Sequence, residues 1–235
     1  MVINVLAAGL MTVGVLVAPG VAAESPTMSP VASRSWTTPT TIWSSPKALG
    51  TPGNLAQAVD SQGHVTAVWS VKARSVTRVM AARFDGKSWS KPTRVSTIPV
   101  DPNGPQVRLV VGPADDVVAA WATSANTHVR VGAARFDGGS WSPATALADQ
   151  PGMVLQSLAL PTDDSGVSVV WQVAPYFGAG TGALMVRSLP RGSTSWTAAT
   201  ILDDAAATVP ASVVRDGPRT TRAVWISGSS IVSAQ

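Results

Sequence analysis

The chain contains no cysteine, one glutamate (Glu24) and one tyrosine (Tyr176) among its 235 residues. Without thiols there can be no disulfide, thiolate metal site, cysteine nucleophile or lipid-modified cysteine anchor, so packing alone must hold the fold. The other 12 of the 13 acidic residues are aspartates, which favour turns over helices. Charged residues make up only 13%, and no run of Lys or Arg accompanies the net charge of +4, which argues against nucleic-acid binding. A hydrophobic content of 45% argues against disorder.

What is abundant is turn formers, 20 Gly and 18 Pro, together with nine tryptophans. This is the composition of short strands joined by tight turns. Residues 1–23 carry no charged side chain, run apolar to Val17, break at Pro19-Gly20 and end on Val21-Ala22-Ala23. They are expected to be an export signal cleaved after Ala23. The usual basic start is missing, so an uncleaved anchor, and with it membrane attachment, is the alternative. Residues 24–34 are expected to be a flexible Ser/Pro-rich lead-in, and 35–235 a repeat domain of a secreted or cell-surface protein.

Two tryptophan series define the repeat. Trp69, Trp121, Trp171 and Trp225 each end an apolar run and are spaced 52, 50 and 54 residues apart. Trp36, Trp89, Trp141 and Trp196 are spaced 53, 52 and 55, and AARFDGKSW at 81–89 returns as AARFDGGSW at 133–141. Two independent markers with one period predict four units of about 50 residues. Each unit parses into an apolar strand A, a strand B ending in tryptophan, a strand C ending in the AARF string, and a strand D starting at the second tryptophan. Prolines at 39, 92 and 143 assign strand D to a sheet edge. The expected fold is all-β, a β-propeller of four four-stranded blades. One strand D leads, at 35–42, and three strands close, ending with 229–235; their pairing would close the ring, and the alternative is a fragment of a larger propeller.

The strings Asp85-Gly86-Lys87-Ser88-Trp89 and Asp137-Gly138-Gly139-Ser140-Trp141 resemble a degenerate Asp-box, the turn between the third and fourth blade strands of sialidase-like propellers. They are one residue shorter between Asp and Trp and lack the leading Ser or Thr. At the level of architecture, residues 35–235 resemble the secreted propeller repeat proteins of actinobacteria. The resemblance implies the blade architecture and raises a sialidase-like glycoside-active enzyme as one reading. The arginine triad of the sialidases has no match here.

Tryptophans repeated in fixed register are expected to pack between blades, while Trp43 belongs to neither series and is freer to be exposed. Asp85 and Asp137 are expected to cap their turns, and the pairs Asp115-Asp116, Asp163-Asp164 and Asp203-Asp204 to serve turns rather than calcium. Arg83 and Arg135 recur at one position, which suggests pairing with the adjacent turn aspartates. His64 and His128 begin strands in different units, and nothing in the pattern sets either beside a carboxylate and a serine. No metal or cofactor site is expected.

Function is therefore expected on the loops that fail to repeat, at 71–76, 97–104, 122–127, 148–153, 172–182 and 202–208, which share one end of the blades. Tyr176 and Phe177 stand out, with Arg74, Asp101, Asp149 and Asp203 on the same end. The expected activity is a non-enzymatic binding or scaffold module for a glycan, peptide or cell-surface partner. A sialidase-like enzyme and a truncated propeller without a complete site are the alternatives.

Overall fold

The computed structural model of the protein describes residues 38–44, 50–101, 104–125, 127–177, 181–206 and 209–235. The expected signal, lead-in and first tryptophan of the second series, Trp36, lie outside them. The described residues form strands and turns and no helix. The first unit is β1 (Thr51–Val59), β2 (Val65–Lys72), β3 (Val76–Phe84) and β4 (Thr93–Pro99). The second is β5 (Gln106–Val111), β6 (Val117–Ala125), β7 (His128–Phe136) and β8 (Thr145–Pro151). The third contains β9 (Met153–Ala159), the short β10 (Thr162–Asp163), β11 (Gly166–Pro175), β12 (Gly182–Pro190) and β13 (Thr200–Ala206). The last has β14 (Ser212–Gly217), β15 (Thr220–Ser227) and β16 (Ser230–Ala234).

Strands pair antiparallel in meander order, and the third and fourth units are joined by one pairing, Ala206 with Ser227. The units thus form three hydrogen-bonded sheets. Their inner strands follow the expected A and B runs, but strand D starts later than expected. Trp89 and Trp141 make isolated bridges to Phe84 and Phe136, and the ladder resumes only at Thr93 and Thr145. The delay comes from the turn: Ser90 and Ser142 donate back to the carbonyls of Arg83 and Arg135 and hold the chain off the ladder.

A bulge recurs in the C–D pairing of three units. Val79 pairs with Ser96 and Met80 with Arg94, Val131 with Ala148 and Gly132 with Ala146, and Leu184 with Asp203 and Met185 with Ile201. The residue skipped each time is apolar: Val95, Leu147 and Leu202. A bulge re-aims the side chain it carries, and all three join cores between units.

These cores follow one rule: the tryptophan of strand B faces the preceding unit. Trp121 packs with Val68, Val79 and Ala81, Trp171 with Val131 and Leu147, and Trp225 with Val170 and Leu184. The indole N–H of Trp171 donates to Gln150 Oε1 at 3.0 Å and that of Trp225 to Asp203 Oδ2 at 2.5 Å, each acceptor lying on the outer strand of the preceding unit. A buried indole N–H usually finds such a partner.

Trp69 in the first unit has Ile42 and Trp43 over it, the two indoles being 6.0 Å apart. Trp43 is therefore half-buried packing, not a free surface residue. Among the described residues the buried Trp69 N–H has no acceptor. On the same face of β1, Leu55 is 66% and Val59 59% exposed, so this strand is not buried on both faces. At the other end of the row, Val214 and Ile231 are 53% and 79% exposed on the face of the last unit turned away from Trp225. The described part of the expected leading strand, residues 38–42, forms no ladder.

Candidate functional site

Two ends of the sheets carry the polar residues. At the end of the A–B and C–D turns, the aspartates are architectural. Asp85 Oδ1 accepts the N–H groups of Ser88 at 2.7 Å and Lys87 at 2.9 Å, and Asp137 Oδ1 those of Ser140 and Gly139, both at 3.0 Å. These bonds hold both carboxyls below the ordinary carboxylate range. Arg83 and Arg135 pair elsewhere than expected. They reach the A–B turn, Arg83 to Asp60 and Arg135 to Asp116 at 2.6 Å. They lie across the B–C ladder, Arg83 opposite Thr66 and Arg135 opposite Val118, which aims them at the turn leading into strand B.

The paired aspartates bridge units. Asp115 accepts from the Ser61 N–H at 2.9 Å and its hydroxyl at 2.7 Å, Asp164 pairs with Arg215 at 2.7 Å, and Asp163 Oδ2 accepts from the Thr221 hydroxyl at 3.1 Å. Among the described residues no cluster of three or more metal-binding side chains forms.

At the opposite end lie the B–C and D–A connections, and here the six residues singled out from sequence separate into two groups. Tyr176 and Phe177 follow β11 and are 47% and 82% exposed, with their rings edge to face at 4.2 Å. Arg74 is exposed in the connection from β2 to β3. Asp149 is exposed but lies inside β8, where Oδ1 is 3.0 Å from His128 Nδ1 and Oδ2 accepts from Arg130 Nε at 3.2 Å. The His128 ring first, then Arg130, keeps the Asp149 carboxyl below its ordinary range. Asp101 and Asp203 are framework. Asp101 is buried and accepts from the Ser124 N–H at 2.7 Å, while Ser124 Oγ in turn accepts from the Leu155 N–H at 2.8 Å, linking the first unit to the third. Asp203 lies within β13 and holds Trp225; burial raises its pKa, and the hydrogen bonds from Trp225 and Ala205 bring it below the ordinary value.

The loops are also shorter than the irregular sequence suggested. Residues 122–125, 148–151, 172–175 and 202–206 continue strands, because the ladder runs on past the point where the repeat fails. Residues 178–180, 102–103, 126 and 207–208 of those loops lie outside the described residues. Backbone bonds knit this end together: Gly152 N–H to the Thr127 carbonyl at 2.7 Å and Tyr176 N–H to the Gly152 carbonyl at 2.9 Å. Both histidines have a carboxylate neighbour that the sequence did not reveal, His64 with Asp60 at 3.1 Å and His128 with Asp149. The second pair is separated by 21 residues and meets only through the β7–β8 register.

No protein-family model and no curated protein sequence matches the chain. Solved structures do. An α-L-arabinanase of Penicillium chrysogenum complexed with arabinobiose is similar at 12% identity and a TM-score of 0.51, over 79% of this chain and 60% of that one. A protein of unknown function from Dyadobacter fermentans is similar at 13% identity and a TM-score of 0.51, over 83% of this chain and 67% of the other. An α-L-arabinofuranosidase of Fusarium graminearum with an iminosugar inhibitor gives a TM-score of 0.48 at 12% identity, over 73% and 55%. The fold is propeller-like. The chain spans about three-fifths of the arabinanase's length.

Proposed function

We propose that the protein is an exported, non-enzymatic propeller module that binds a glycan at the end formed by the B–C and D–A connections. The carrying observation is the Tyr176–Phe177 pair, two exposed aromatic rings held edge to face on a connection whose backbone is tied to its neighbours. Aromatic faces stack on sugar rings, and a pair fixed by a rigid scaffold loses little entropy on binding. Arg74 and the Asp149–His128–Arg130 cluster add polar groups at the same end. The likeness to an arabinanase holding arabinobiose makes a saccharide the first class to try.

Six of the twelve aspartates are shifted away from what hydrolysis needs. A glycosidase needs one acid whose pKa is raised toward neutrality beside a second carboxylate. Asp60, Asp85, Asp137, Asp149, Asp163 and Asp203 are all shifted downward by donors. The test is a screen of immobilised oligosaccharides, arabino-oligosaccharides included, with the native chain and with Tyr176→Ala/Phe177→Ala. The expected result is retention that falls at least tenfold in the variant. Unchanged retention would remove this end from the proposal, and hydrolysis of the bound sugars would replace it with the glycosidase reading.

We also propose that the four units close into a ring. The unit that Trp69 lacks on its outer side is then the last one, whose exposed Val214 and Ile231 face the exposed Leu55 and Val59.

A further inference from the structure

A second site lies at the other end of the sheets. A cleft of about 440 Å³ opens between the first and second units, lined by Arg83, Lys91, Arg94, Phe136 and Trp141 with the hydroxyls of Ser90, Thr93 and Ser140. Arg83 is part of the framework: Asp60 neutralises it, and its guanidinium lies 5.2 Å above the Phe136 ring. Lys91 and Arg94 are different. Both are exposed, and among the described residues neither belongs to a salt bridge, while no carboxylate lines the cleft.

The repeat itself supplies the control. Counting from the tryptophan that opens each outer segment, Lys91 corresponds to Pro143 and Ala198, and Arg94 to Ala146 and Ile201. The fold therefore needs no cation at either place. The equivalent groove between the second and third units, lined by Arg135, Asp137, Thr145, Leu189 and Trp196, is only about 120 Å³, and that between the third and fourth, about 280 Å³, sets the single cation Arg219 beside Asp163; neither has a counterpart of the two free cations in a wall without carboxylates. Architecture explains Arg83, Arg135 and the tryptophans, because they recur. It does not explain a wide cleft with two unpaired cations in one unit.

We propose that this cleft binds an anionic saccharide, one carrying carboxylate or sulfate groups. Lys91 and Arg94 would contact the anionic group through charge-assisted hydrogen bonds. The hydroxyls of Ser90 and Thr93 match sugar hydroxyls, and Trp141 and Phe136 provide the apolar wall that a sugar ring needs and a bare anion does not. The site is independent of the Tyr176–Phe177 end, since C–D turns and B–C connections lie at opposite ends of a four-stranded meander.

The experiment is affinity electrophoresis and calorimetry of the full chain with four probes: oligogalacturonate, a sulfated oligosaccharide, a neutral arabino-oligosaccharide and single-stranded DNA. Either acidic saccharide, or both, should bind, weaken as salt rises, and lose at least tenfold in affinity in Lys91→Ala/Arg94→Ala. The tighter of the two identifies the preferred anionic group. Arg191→Ala/Arg219→Ala, which removes the same charge from other exposed positions, should change affinity less than twofold, as should Tyr176→Ala/Phe177→Ala. Near-ultraviolet circular dichroism of the tryptophans checks that every variant is folded. Three results would overturn the proposal: no binding of either acidic saccharide at low salt, equal losses in both charge variants, or DNA bound as tightly as the saccharide.

Discussion

Asp60 shows how one side chain can hold several elements. Its Oδ1 accepts the N–H groups of Gln62 at 3.0 Å and His64 at 2.8 Å, and its Oδ2 meets the His64 ring and Arg83. Burial would raise its pKa, but the His64 backbone and ring and then Arg83 outweigh it and lower the value from 3.8 to about 2. The folded state therefore prefers the carboxylate. The resulting stability is complete above the unfolded value of 3.8 and is lost as pH falls through about 2. Asp60→Asn should cost about 2 kcal/mol at pH 7 and flatten the stability profile between pH 4 and 2, as read by urea unfolding across that range. A variant that kept the native acid slope would show that another carboxyl carries it. The carboxylate's role is not legible in sequence: the repeat suggests the nearer turn for Arg83, and only the ladder shows that it reaches back 23 residues.

At the scale of the element, the repeat conceals one exchange that packing forbids. Gly132 occupies the place held by Met80 and Met185 opposite the strand-B tryptophans. A Cβ at Gly132 would sit 2.6 Å from Trp121 Nε1, because the indole lies flat on that glycine. Gly132→Met, the residue of the neighbouring units, should therefore destabilise by about 1–3 kcal/mol, measured as a lower urea midpoint with an unchanged slope. An equal or higher midpoint would mean that Trp121 repacks freely. Strand order, the edge position of strand D and the turn-capping role of Asp85 and Asp137 were readable from prolines, glycines and periodicity, which act locally. The bulges at Val95, Leu147 and Leu202 were not, since an alternating strand and a bulged one look alike until the partner's register is known.

At the scale of the whole molecule, two apolar faces are exposed, one at each end of the row of units. The repeat gives the register that the proposed closure would take. Trp225 pairs with Val232 as Trp69 does with Met80, and Met80 and Ala81 pair with residues 5 and 4 positions past Trp89. Transferred to Trp36, this puts Ser233 opposite Thr40. The chain has no cysteine, so Thr40→Cys/Ser233→Cys allows one disulfide within a molecule. Oxidation should give a monomer of faster mobility on non-reducing gels. Predominant dimers would show that the open faces meet a second copy, and no cross-link would overturn closure in this register.

The sequence by itself determined the repeat, its period and the all-β class, because each depends on residues counted along the chain. Tertiary structure decided which carboxylates are framework and which face solvent. Asp101 and Asp203 read like surface loop acids, yet the first is buried under Ser124 and the second is fixed to an indole of the next unit. It also brought His128, Arg130 and Asp149 together and opened the cleft at Lys91 and Arg94. Those groupings depend on pairing register and on the spacing between units, distances set by packing across the chain and written in no single stretch of it.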